Sequence, residues 1–107
     1  MSNPQTHVGT VTGTGAAINV PIGFQPDYVL IYNAVTGAKI EWFRGMAAAS
    51  AIKTVVAGDI TVAATNGVSA LDSKTAGEGF VIGADAQVNV TGNAIRFFAT
   101  RSGPGAN

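Results

Sequence analysis

"YVLIYNAVTGAKIEWF", residues 28–43, is the stretch on which the fold of this chain turns. Its first part, YVLIYNA (28–34), is rich in β-branched and aromatic residues, which suit a pleated surface. It is apolar at odd and even positions alike, which predicts a central strand covered on both faces. VTGA (35–38) reads as a hairpin connection. KIEWF (39–43) then alternates: Ile40 and Trp42 on one face, Lys39, Glu41 and Phe43 on the other.

The same grammar extends outward. Upstream, HVGTVT (7–12) and AAINVPI (16–22) read as strands, with Pro21 near the end of the second or on a sheet edge. GFQPD (23–27) is a turn stiffened by Pro26. Downstream, GMAAASAIKTVVAGD (45–59) is ambiguous. Its alanines and Met46 favour helix, and Ile52, Val55 and Val56 have helical spacing, but no cap is present. An irregular loop with at most one helical turn is expected, then a strand near 52–56. DITVAA (59–64) and VSALDS (68–73) follow as two strands around a tight turn at Asn66-Gly67. KTAGEG (74–79) reads as a loop, and FVIGA (80–84), QVNV (87–90) and AIRFFATR (94–101) as strands.

Fourteen glycines punctuate these segments, as turns and bulges require. About eight to ten short strands at this spacing predict an all-β protein, a compact antiparallel β-sandwich or jelly roll. A length of 107 residues predicts one domain, 1–107. Its ends, 1–6 and 102–107, are expected to be flexible.

Composition narrows the function. Six basic residues balance six acidic ones and the signs are interspersed. Without a basic stripe to neutralise phosphates, no nucleic-acid partner is expected. The N-terminal stretch has no secretory pattern and no apolar run is long enough to span a bilayer, so no membrane partner is expected. There is no cysteine, which removes disulfides and thiolate metal sites. Charged residues make up only 11%, against about 25% in an ordinary soluble domain. A sparsely charged, neutral surface is prone to associate, so a homo-oligomer is expected.

No catalytic constellation emerges. His7 stands alone near one end, without the nucleophile and orienting acid a triad needs. The acids are scattered, and Asp27, Asp59, Asp72 and Asp85 sit beside strand ends, where turn chemistry accounts for them. GADAQVN (83–89) offers oxygen ligands at Asp85, Gln87 and Asn89 but lacks the turn glycine and terminal glutamate of a calcium loop. Alternation along a strand is the simpler expectation. GEGFVIG (77–83) misses the dinucleotide fingerprint. No cofactor, metal or catalytic residue is predicted, and the chain is expected not to be an enzyme.

The aromatics remain. Trp42 alternates with Ile40 and is expected inside. Phe43 and Phe98 fall on faces opposite to Trp42 and Phe97, and a two-layer core cannot hold all four. An exposed aromatic beside Arg44 and Met46 suits a protein contact.

Five segments carry a resemblance: Gly23-Phe24-Gln25-Pro26-Asp27-Tyr28-Val29, Glu41 to Met46, Gly79 to Asp85, Val88 to Gly92, and the aromatic strand Ile95 to Arg101. Over residues 8–101 the chain resembles small virion structural proteins of tailed bacteriophages, of the capsid decoration, or cement, type. The resemblance implies a non-enzymatic structural protein that binds the phage major capsid protein lattice and stabilises the head. It would be made in the host cytoplasm and act on the capsid surface as a trimer or dimer. The expected contact is the loop begun by Phe43, Arg44 and Met46 and continued by the small side chains of Ala47 and Ala48, with the two ends. The alternative is a tail-fibre or baseplate β-module that binds host surface glycan. Such modules sit at the end of longer chains, which favours the capsid.

Overall fold

The computed structural model describes residues 5–73 and 77–101. They form eight strands: β1 (Gln5–Thr12), β2 (Ile18–Pro21), β3 (Tyr28–Asn33), β4 (Lys39–Phe43), β5 (Ser50–Thr54), β6 (Ile60–Ser73), β7 (Gly77–Ile82) and β8 (Ala94–Arg101). All pair antiparallel in one sheet, ordered β1-β8-β3-β4-β5-β6-β7-β2. The all-β, antiparallel architecture is the one the alternation predicts.

The sheet curls over itself. β7 and β8 are five strand spacings apart in the order, about 24 Å along a flat sheet. Yet the Phe80 ring on β7 meets the Phe97 ring on β8 edge-on, with centroids 5.2 Å apart. Between the two layers lies one core that includes Val29, Ile31, Ile40, Trp42, Val68, Phe80, Ile82, Val88, Ile95 and Phe97, with Ala38, Ala51 and Ala99. Trp42 lies inside, as its alternation with Ile40 requires, although its indole N–H finds no acceptor among the described residues.

The corner of the curl is in β6. Its first part pairs with β5, as far as Ala63 opposite Ala51, and its second part pairs with β7. Between them the register jumps, and Ser50 faces Val68. A strand that changes partner through a bulge is how a sheet turns a corner. Asn66-Gly67 is therefore not the tip of a hairpin joining two strands. Residues 60–73 are one strand that changes partner there, and the Asn-Gly type I′ turn would need two left-handed residues, whereas only Asn66 has a positive φ, 59°. Gly67 is required by space. A Cβ there would stand 2.3 Å from the Ser50 carbonyl oxygen, and one at Gly83 2.4 Å from the Asn66 carbonyl carbon.

Other segments also depart from expectation. QVNV is not a strand but part of the turn region between β7 and β8. Asp85 organises it by accepting the Gln87 and Val88 N–H groups. Two buried asparagines pin it to the sheet. Asn33 donates to the Gln87 and Val88 carbonyls, and Asn89 donates to the Ala16 and Gly83 carbonyls while accepting from Thr14 and Gly15. Residues 45–49 form turns with no helix, so that ambiguity resolves toward the loop. β1 begins at Gln5, so Gln5 and Thr6 are strand residues paired with Arg101 and Thr100. The remainder of 1–6 and all of 102–107 lie outside the described residues. Of the loop expected at 74–79, residues 77–79 belong to β7 and 74–76 are outside the description.

Candidate protein-contact face

Alternation sorts every side chain of a strand onto one of two faces. Ile31, Ile40 and Phe97 point into the core, so their neighbours must point out. The registers then align the outward residues in rows. Val8 lies opposite Phe98, Phe98 opposite Leu30, Leu30 opposite Glu41, Glu41 opposite Ile52, and Ile52 opposite Val62. A second row runs Thr10, Arg96, Tyr32, Lys39, Thr54, Ile60, and a shorter third runs Thr6, Thr100, Tyr28, Phe43.

These rows form a broad face on which apolar side chains and threonines outnumber three charges, Lys39, Glu41 and Arg96. Val62 is 77% exposed and Val8 70%, while Ile60, Phe43, Tyr32 and Phe98 are also open to solvent. Scattered surface apolar residues are ordinary, but here they gather on one side of one sheet, in two clusters separated by Lys39 and Glu41 of β4, and such a gathering marks an interaction surface. An open depression of about 270 Å³ sits on this face, lined by Val8, Leu30, Tyr32, Arg96, Phe97 and Phe98.

At one end of the face the aromatic rings are held in place. Tyr28 lies 4.9 Å from Phe43 and 6.3 Å from Phe98 between centroids. Its hydroxyl donates to the Glu41 carboxylate at 2.7 Å. Burial first, then that hydrogen bond and the carboxylate's charge, push the phenol up to about 12.

The residues expected to make the contact are divided by the structure. Phe43 is exposed on the apolar face, next to Tyr28. Arg44 stands beside it, ion-paired to Asp27 and donating to the Gln25 carbonyl. Met46 instead turns inward. It packs against the core, and its sulfur receives the Phe43 N–H. Ala47 and Ala48 are exposed at the loop tip, and the Ala47 carbonyl is bound by both the N–H and the hydroxyl of Ser50. The loop is thus a rim to the face rather than its centre.

The strand expected at 28–34 is covered on one face only, not on both. Val29 and Ile31 are buried, but Tyr28 and Leu30 are only partly covered and Tyr32 is exposed. Strand apolarity on both faces signals either a second layer or a surface awaiting a partner. Val8, Leu30, Ile60 and Val62 are contact candidates that only the structure brings out, and Ile52 belongs to a strand face rather than to the helical face its spacing suggests. The alternation of Ile60 and Val62 in DITVAA was the available signal.

Asp85, Gln87 and Asn89 do not form a ligand set. The Asp85 side chain bonds its own turn and the Lys53 ammonium at 2.8 Å. Asn89 is buried and its amide is fully engaged. No cluster of three or more metal-binding side chains occurs among the described residues. Comparison with protein families, with curated proteins and with solved structures gives no match.

Proposed function

We propose that this chain is a non-enzymatic structural protein of a tailed-phage virion that binds the major capsid protein lattice as a decoration protein. The outer face of β1, β8, β3, β4, β5 and β6 is then the surface laid against the shell. The observation that carries this reading is that face: exposed apolar side chains gathered on one side of the sheet of a chain with 11% charge. The sequence resemblance supplies the virion. Fully burying one such side chain stabilises a complex by about 1.5–3 kcal/mol, and repetition over a lattice multiplies modest contacts.

The competing reading is a glycan-binding module of a tail fibre or baseplate. The depression with Tyr32 and Arg96 favours it, since rings stack on sugars and a guanidinium donates to hydroxyls. Its lining is otherwise apolar, which suits an inserted apolar side chain better than a polar sugar.

Co-sedimentation of the purified protein with undecorated, expanded shells tests the proposal. Saturable binding at a fixed ratio to the major capsid protein is expected, abolished by a combined Phe98→Ser and Val62→Ser variant. Absence of binding by the unaltered protein would sink the reading and make a glycan screen the next experiment.

A further inference from the structure

A curled sheet that does not close has two edges, and here they are unlike. β2 contributes four residues and ends at Pro21, which has no N–H to offer. β1 runs eight residues, QTHVGTVT, in unbroken register with β8. It carries no Asp, Glu, Lys or Arg, no proline and no bulge. Those are the devices that keep an edge from pairing with another chain, and β1 has none of them. Among the described residues no strand covers its open side.

The hydrogen-bond phase says which groups are open. Just beyond the Thr12–Ala94 pair, the Gly13 N–H donates to the Asn93 carbonyl at 2.9 Å. Bonding alternates along an antiparallel ladder, so Val11, Gly9, His7 and Gln5 bond β8. Thr6, Val8, Thr10 and Thr12 turn their N–H and C=O groups to the open side. The other flank of β8 gives the same phase: the Ala34 N–H donates to the Ala94 carbonyl, so even-numbered β8 residues serve β3 and odd ones serve β1.

We propose that β1 pairs antiparallel with β1 of a second copy across a two-fold axis through Val8. The outward-bonding residues Thr6, Val8 and Thr10 read the same in both directions. The two-fold therefore sets valine opposite valine and threonine opposite threonine, and such cross-strand pairs are favourable. Each opposed pair exchanges two backbone hydrogen bonds. A strand without formal charge meets its own image without repulsion, which selects a copy of this chain over a charged foreign strand. Val8, 70% exposed, gains an apolar neighbour. Because the axis is perpendicular to the sheet, both outer faces stay on the same side. The row from Val62 through Leu30 and Phe98 to Val8 then continues into the second subunit.

The test uses the full chain free of shells, so its result is separate from that of the capsid reading. Sedimentation velocity over a concentration series should show a dimer. Val8→Lys, which opposes two ammonium groups at the axis, should sediment as a monomer that keeps the β-sheet circular-dichroism spectrum and melts cooperatively, its melting temperature no longer depending on protein concentration. Val62→Lys, on the far flank of the same face, should stay dimeric. In a second measurement, Val8→Cys supplies the protein's sole thiol. A short bifunctional maleimide should then give covalent dimers, whereas Val62→Cys should not. A wild-type protein that remains monomeric, one that sediments as a trimer, or a Val8→Lys variant that stays dimeric would overturn the inference.

Discussion

The two faces of β3, β4 and β8 are built from much the same residues and have opposite fates. Inside are Val29, Ile31, Trp42 and Phe97, all buried; outside are Tyr28, Leu30, Phe43 and Phe98, half-covered or exposed. Hydrophobicity alone does not separate them. What separates them is the curl, which brings β7 over β8 and leaves the other side of the strands bare. The inner face has spent its apolar surface on folding. The outer face retains its own for association, and the low charge of the chain leaves little to keep partners away.

That contrast is broken most severely from inside. Ile31 is fully buried between the layers, and Ile31→Ala should cost about 2–5 kcal/mol in urea unfolding followed by Trp42 fluorescence. A loss below about 1 kcal/mol, close to the surface range, would mean that the two layers do not enclose Ile31. Asn89→Ala should come next. It removes the acceptor of the Thr14 and Gly15 N–H groups and the donor to the Ala16 and Gly83 carbonyls, and each such hydrogen bond contributes about 0.5–1.5 kcal/mol net where water can reach the group left behind. The loss should exceed that of Asn93→Ala in the same turn region.

The outer face should answer differently to the same assay. Val62→Ser should change monomer stability by no more than about 0.5 kcal/mol, and Phe98→Ser, at a ring 36% exposed, by less than the roughly 2–5 kcal/mol of Ile31→Ala, while both weaken binding to shells. Met46→Glu should do the reverse, lowering stability because Met46 packs against the core. If Phe98→Ser proves as costly to folding as Ile31→Ala, the face is a hidden part of the core and not a contact surface.

Much of the architecture was legible because alternation is local. KIEWF announces its faces, and Ile40 and Trp42 lie where the pattern puts them. The corner was not legible. Asn66-Gly67 has the same residues whether the chain reverses or bulges, and the choice is made by Ser50 and Gly83, distant in sequence, packing against it. QVNV alternates like a strand, but Asp85 captures its N–H groups before a ladder does. Of the contact residues, Phe43 was readable from its place opposite Trp42. Val8 and Val62 were not, since their prominence follows from a register linking both flanks of the sheet.

The smallest expected effect probes the aromatic end of the outer face. The Tyr28 phenol is held at about 12, above its ordinary 10.0, by burial and then by Glu41. An acid whose pKa is higher folded than unfolded favours the folded state while protonated. This contribution is complete below about pH 10 and is lost as pH rises through about 12. Tyr28→Phe keeps the ring against Phe43 but removes the titrating hydroxyl. Subtracting its stability from that of the wild type across alkaline pH cancels the other basic groups. The difference should be level up to about pH 10 and then decline. A difference that stays level through pH 12 would mean that neither burial nor the Glu41 hydrogen bond raises the phenol in solution. The single carboxylate in the Val8–Val62 row would then be free to turn toward a partner, and a lysine or arginine on that partner would be the group to seek.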